Sequence, residues 1–327
     1  MEVWQYIHDK LQVSVKVLLL WVLESEGSSP GRRGFKMAVA SDGSFEGTIG
    51  GGIMEHKLVE KAKAMLTEDA TRISLMQQYH DKQHAKDQSG MICSGSQRIA
   101  FVPLNPSSLV QVAAIVKAIC NHEKKMVQLT REGLTITSTV DATCGFQQLQ
   151  NEEWIYTEKA DQRPVIHIIG AGHVGLALSE LMHFLGFYVK MYDNREGLNT
   201  FTNNRFAHEK HVVDYHRIVE VLPSNKEEFV VIMTFGYRDD KIVFRQLLDK
   251  EYYYLGLMGS DAKIKTLLQE LEAEGFDPAK WKHCHAPIGI NIFSKTTKEI
   301  AVSIAAEIIK EKNKNLSSGR AYSLEQE

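Results

Sequence analysis

The chain has 327 residues and a mass of 37.0 kDa, length for two domains of ordinary size. Hydrophobic residues make up 43% and charged residues 24%, a mixture that excludes a disordered, collagenous or low-complexity chain as the dominant state. Lys+Arg number 38 and Asp+Glu 41, so a formal net charge of −3 leaves no global footprint for nucleic acid or an anionic membrane surface. The longest apolar run, VLLLWVL at 17–23, is far below the roughly 20 residues of a membrane-spanning helix. The N-terminus, MEVWQYIHDK, has no charged region leading into an apolar stretch, so no secretory signal is expected. Cys93, Cys120, Cys144 and Cys284 are scattered without a C-x-x-C pair, and read as reduced thiols of a cytoplasmic protein.

In chain order, an amphipathic helix is expected over 3–11, followed by an apolar strand over 15–24. GSSPGRRG at 27–34 is dense in turn formers. Strands at 35–40 and 45–49 flank SDGS, a hairpin signal, and a helix runs from 53 to about 66 behind a glycine triplet. A strand at 98–104, a helix at 107–120 and a strand at 134–139 complete an α+β half. NEEWIYTEKADQR at 151–163 is polar and charged and ends at Pro164, and so reads as the boundary between domains 1–163 and 164–327. Beyond it strands alternate with helices, which predicts βαβ units on a parallel sheet. The expected fold class is therefore α/β, with a C-terminal Rossmann-like doubly wound parallel sheet behind an N-terminal α+β domain.

The second half opens with VIHII at 165–169, then Gly170-Ala171-Gly172-His173-Val174-Gly175, then a helix-like stretch at 176–185. A second strand over 187–192 ends at Asp193, 23 residues beyond Gly170. This is the full context of a dinucleotide fingerprint. The glycines permit a tight turn and close approach of a pyrophosphate to a helix N-terminus, and Asp193 is expected to accept from a ribose diol. Arg195 is placed either to meet an adenine or phosphate or to sit in solvent. The same loop also closes Rossmann-like domains that hold no free dinucleotide. Later expected elements are a strand at 252–257, a helix at 261–274, a structured loop HAPIG at 285–289 and an amphipathic helix at 296–312.

Gly50-Gly51-Gly52 also lead from a strand into a helix, with Arg32 and Arg33 in the preceding loop. If the loop folds over that helix start, guanidiniums and N–H groups converge on one phosphate or carboxylate; otherwise the region is a tight turn with two solvated arginines. Cys93 is surrounded by small residues, SGMICSGS, which suits either a thiolate that approaches a ligand or a buried structural cysteine. His80 with His84, and His283-Cys284-His285, lack the ligand count of a zinc site, so no metal is expected.

Together, GSSPGRRGFKMAV, DGSFEGTIGGGIMEHKLVE, VIHIIGAGHVGLALSELMHFLGFYVKMYDNRE, YLGLMGSDAKIKTLLQELEAEG and HAPIGINIFSKTTKEIAVSIAAEII resemble, in order, the motifs of the XdhC/CoxI family of xanthine dehydrogenase accessory factors. The resemblance implies a chaperone that binds the molybdenum cofactor, protects it while a sulfido ligand is installed and delivers it to a molybdenum hydroxylase. It implies a cysteine desulfurase and the hydroxylase as partners, a homodimer, and no nucleic acid or membrane. Arg32, Arg33 and Gly50–Gly52 become candidates for holding the cofactor phosphate. Gly170, Gly172, His173, Gly175, Asp193 and Arg195 remain candidates for NAD(P), and Cys93 is the candidate thiol for molybdenum contact or sulfur transfer. The chain departs from the family at Cys93-Ser94-Gly95, where paired forms such as C-G-G are common, and at Thr234-Phe235-Gly236, where many members carry T-H-D. An NAD(P)-dependent oxidoreductase is the rival reading, weakened by the lack of a proton donor or nucleophile placed by motif. A scaffold linking a desulfurase to its client is the third.

Overall fold

The computed structural model describes residues 1–27, 29–79, 95–139 and 143–314. They fall into two compact units, Met1–Gln162 and Arg163–Glu327.

In the first unit, helix α1 (Glu2–Gln12) precedes strands β1 (Val17–Gly27), β2 (Lys36–Ala40) and β3 (Phe45–Gly47). Helix α2 (Gly52–Thr67), strands β4 (Ser74–Tyr79) and β5 (Gly95–Leu104) and helix α3 (Leu109–Cys120) follow. Strands β6 (Met126–Thr130), β7 (Leu134–Thr137), β8 (Gly145–Gln148) and β9 (Trp154–Lys159) complete it. Two antiparallel sheets result, ordered β3-β2-β1-β5-β4 and β7-β6-β9-β8.

The apolar run of β1 has a physical reason: both its faces are covered. Leu18, Leu20 and Val22 pack with Met54, Leu58 and Ala62 of α2. Val17, Leu19, Trp21 and Leu23 pack with Trp4, Ile7 and Leu11 of α1, with α3, and with Val127, Trp154 and Tyr156 of the second sheet. A strand buried on both sides carries no polar alternation. Helix α3 starts later than its apolar pattern suggests, because Pro106 and the Asn105 cap form a 3₁₀ turn first.

The polar stretch at 151–163, which marks the expected domain boundary, is itself largely built into the first unit: it contains β9, an interior strand of the second sheet, paired with β6 and β8. Trp154 and Tyr156 face the core, and Glu158 is buried against Lys36 at 2.7 Å, with the Tyr156 hydroxyl donating to it at 2.9 Å. The charge that made the segment look solvated is neutralised by a lysine more than a hundred residues earlier.

The second unit comprises β10 (Val165–Ile169), α4 (His173–Phe184), β11 (Tyr188–Asp193), the short α5 (Asn199–Thr202), β12 (Glu209–Val212) and β13 (Asn225–Ile232). It continues with α6 (Tyr237–Leu247), β14 (Tyr252–Leu257), α7 (Asp261–Ala273) and α8 (Thr297–Asn313). All strand pairs are parallel, in the order β12-β11-β10-β13-β14. Alternate residues feed two cores. Ile166, Ile168, Val189 and Val231 meet α4 and α8 on one face. Val230, Ile232, Leu255 and Leu257 meet α6 and α7 on the other. This is a doubly wound Rossmann sheet, whose order reverses at β10, and ligands of such sheets bind outside the carboxyl ends at that reversal.

Candidate functional site

Two places collect the chemistry, one in each unit. In the first, the 27–34 loop lies against the glycine triplet. A side chain at Gly31 would stand 2.3 Å from the Ile49 carbonyl, and one at Gly50 would stand 2.7 Å from the Gly31 nitrogen. Only glycines let these backbones touch. The loop leaves Arg32 and Arg33 exposed. Arg33 is tethered by its amide, which donates to Ser25 Oγ at 3.2 Å, and a side chain at Gly145 would stand 3.3 Å from Arg33 Nη1.

The helix start differs from a free anion cradle. Glu55 turns back over the first turn of α2, and its Oε2 accepts from Thr48 Oγ1 at 2.6 Å, Ile49 N at 2.9 Å and Gly51 N at 3.0 Å. The chain's own carboxylate thus takes amides that an incoming anion would need, and satisfies a helix end otherwise without a side-chain cap. The guanidiniums, not the triplet, are the open anion-binding groups here.

Beside this loop is a cleft of about 590 Å³, lined among others by Glu24, Ser25, Gln77, Arg98 and Gln148. Its size is that of a small-molecule site. Arg98 Nη1 pairs with Glu24 Oε2 at 2.7 Å, its Nε donates to Gln77 Oε1 at 3.3 Å, and its guanidinium lies 4.2 Å over the Phe146 ring. Sequence reasoning did not single these residues out. They sit on four different strands, and only strand pairing brings Glu24, Gln77 and Arg98 side by side. Cys93, His80 and His84 lie outside the described residues.

In the second unit the glycines divide by role. Gly170 has φ +115°, and a side chain on it would reach 2.1 Å from the Met233 carbonyl; one on Gly175 would reach 2.2 Å from the Gly170 carbonyl. Both are required by the fold itself. At Gly172 a side chain would meet nothing within 4 Å, so the space before the first turn of α4 is open. His173 begins that helix, whose N-terminus has no side-chain cap.

Asp193 is fully buried at the end of β11, and all its acceptor directions are used. Oδ2 accepts from Ala171 N at 2.7 Å and Arg195 Nη2 at 2.9 Å; Oδ1 accepts from Arg195 N at 3.0 Å and Nε at 2.8 Å. Burial pushes its carboxyl up, but the Arg195 side chain and the Ala171 amide outweigh burial and hold it below the ordinary aspartate range. The predicted ribose acceptor is therefore a latch between the glycine loop and Arg195. The Arg195 guanidinium is 5.2 Å from the ring of Phe235, which is 85% exposed.

At the neighbouring strand ends, Thr234 donates to Asp240 Oδ1 through its amide at 2.8 Å and its hydroxyl at 2.7 Å, and Lys263 Nζ meets Asp240 Oδ2 at 2.5 Å. Burial raises the Asp240 pKa, only partly opposed by Lys263 and Thr234. The His283–His285 cluster does not converge on a metal. His285 stacks on Tyr254 at 4.3 Å and faces Glu307 at 3.3 Å, and burial pushes the Cys284 thiol up to about 12. Among the described residues no group of three or more His, Cys, Asp or Glu is arranged to hold a metal ion, and no helix is long and apolar enough to cross a membrane.

Comparison with known proteins places these sites in context. Residues 166–308 match the family model described as the XdhC Rossmann domain, and residues 11–80 match that of the XdhC and CoxI family. An uncharacterized protein of Escherichia coli K12, YqeB, is 27% identical over 89% of this chain and 43% of its own length. A protein of Bacillus subtilis 168 described as a probable xanthine dehydrogenase subunit is 27% identical over 50% of this chain and 47% of its own length. The chain thus spans less than half the length of either relative. A crystal structure from Bacillus halodurans described as a xanthine dehydrogenase superposes over 99% of both chains with a TM-score of 0.72 at 22% identity, a likeness of fold along the whole chain.

Proposed function

Because the chain belongs to the XdhC and CoxI family, we propose that it serves the maturation of a xanthine dehydrogenase-type molybdenum hydroxylase, and that it binds the molybdenum cofactor as cargo. On this reading it shelters the cofactor while a cysteine desulfurase supplies sulfur, then hands it to the client enzyme. Binding and release, not turnover, are its chemistry.

The observation that supports the reading most is the exposed Arg32–Arg33 pair, held beside the polar cleft of the first unit by glycine-on-glycine packing. A phosphate-bearing heterocycle needs a charged grip at one end and hydrogen-bonding groups along its plane. Arg32 and Arg33 supply the first, and Glu24, Gln77, Arg98 and Gln148 line a cleft able to supply the second. The Gly51 amide joins only if Glu55 swings away, and the Gly50 amide only if Thr48 releases it.

Anaerobic purification from cells that make the cofactor, followed by molybdenum and pterin analysis, tests the proposal. Near-stoichiometric pterin is expected, falling about ten-fold or more in Arg32→Ala/Arg33→Ala, since each lost charge-assisted contact weakens binding by about 1.5–3 kcal/mol. Trace pterin, unchanged in that variant, would overturn it.

A further inference from the structure

The switch-point crevice of the second unit has a ligand preference written into it that the glycine fingerprint alone does not reveal. We propose that this crevice takes a 2′-phosphorylated dinucleotide of the NADP(H) class in preference to NAD(H), with Arg195 receiving the 2′-phosphate and Asp193 acting as a latch. The inference is independent of cofactor handling by the first unit.

The acid at the end of the second strand selects NAD(H) in such folds by accepting from the ribose hydroxyls, and by repelling a phosphate at the same place. Asp193 does neither. Its carboxylate is fully buried and already accepts four hydrogen bonds, two of them from the Arg195 guanidinium and one from the Arg195 amide. A ribose diol gains no acceptor without breaking that pairing, and the negative charge that would repel a phosphate is neutralised.

Arg195, in contrast, keeps donors in reserve. Of five guanidinium N–H groups, Nε and one on Nη2 are committed to Asp193, while the side chain remains 35% exposed. Held by Asp193, it loses little conformational freedom on meeting an anion, and planar guanidinium suits phosphate oxygens. Phe235, 85% exposed beside it, offers a flat apolar face at the end of β13 on which an adenine can stack. Gly172 leaves the approach to α4 open for the pyrophosphate.

Tyr215, 3% exposed, lies beside the same groups: Asp193, Arg195 and Asp239 act on its hydroxyl, and the Asn194 amide donates to it.

Calorimetric titration of the full chain with NADPH, NADH, 2′,5′-ADP and 5′-AMP tests the proposal. NADPH is expected to bind about ten-fold or more tightly than NADH, and 2′,5′-ADP to exceed 5′-AMP by the same factor. Arg195→Gln should erase both ratios. Phe235→Ala, an exposed position without folding cost, should weaken all four probes and leave the ratios alone. A smaller preference in the wild-type chain, tighter NADH, or no binding of any probe at about 1 mM overturns the proposal whether or not Arg195→Gln folds. None of these outcomes depends on molybdenum or pterin, so failure here and failure of the cofactor reading are separately visible.

Discussion

At the scale of single residues, the glycine fingerprint separates into positions the fold needs and one it does not. Gly170→Ala drives a methyl group into the Met233 carbonyl from a backbone with φ +115°, and should cost several kcal/mol or abolish folding of the second unit. Gly172→Ala meets open space from an ordinary φ of −67°, and should change stability by no more than about 1 kcal/mol. Urea denaturation of the two variants distinguishes them, and equal losses would refute the division. Because Gly172→Ala folds, any loss of nucleotide affinity in it reports on ligand approach. Lys36 and Glu158 make a second residue-scale prediction. Their side chains are 10% and 6% exposed, and Lys36 Nζ also lies 4.6 Å over the Trp21 ring. Lys36→Met strands a buried carboxylate and should cost about 3–5 kcal/mol; adding Glu158→Gln should recover much of it. If the double variant is no more stable than Lys36→Met alone, the pairing is not the source of the loss.

At the scale of elements, local signals and distant partners divide the work. Helix α8 starts with a capping box: Thr296 Oγ1 accepts from Glu299 N at 3.3 Å, and Glu299 Oε2 accepts from Thr296 N at 2.9 Å. Thr296→Ala should cost about 1 kcal/mol, read as a shift in the denaturation midpoint with unchanged slope; a change in slope would mean that more than the cap was lost. That start is legible in T-T-K-E of the sequence, as are α7 and β14, because caps and periodicity are properties of neighbours in the chain. The end of helix α2 that matters was less legible. Three glycines read as a cradle for an anion, but the Glu55 carboxylate already occupies the Gly51 amide. Strand β9 was hidden for the converse reason. Its alternation Trp154, Tyr156, Glu158 is that of a half-buried strand only once Glu158 is known to meet Lys36.

At the scale of the whole molecule, acid should weaken the fold through a small set of carboxylates. Burial pushes Glu307 up, but His285, the Tyr254 hydroxyl and the Gly289 amide together hold it at about 2. Asp193, Glu209 and Glu228 are also held below their ordinary values against burial, mainly by Arg195, by His211 and Lys190, and by His167 respectively. Groups depressed in the folded state contribute stability that is fully present above the unfolded value of about 4–4.5 and is lost as pH falls toward the folded value. Asp240, raised by burial, acts in the opposite sense: its contribution is present below the unfolded value and is lost as pH rises, so it offsets part of the acid effect. The melting temperature should therefore decline between about pH 5 and 3, and Glu307→Gln should make that decline shallower. An identical slope in the variant would remove Glu307 from the account.

The sequence by itself determined the parallel sheet of the second unit, its glycine turn, the apolar strand β1 and the start of α8, because each is specified by residues a few positions apart. Tertiary structure decided what the charged and polar groups are for. Asp193 stands two residues from Arg195 in the chain, yet only the folded loop brings Ala171 N to its other oxygen and turns a ribose acceptor into a latch. Glu158 finds Lys36, and Arg98 finds Glu24, Gln77 and Phe146, across strand pairings that no local pattern encodes. Apolar periodicity reports which side of an element is buried, whereas the role of a charge depends on the partner that neutralises it, and that partner is chosen by the fold.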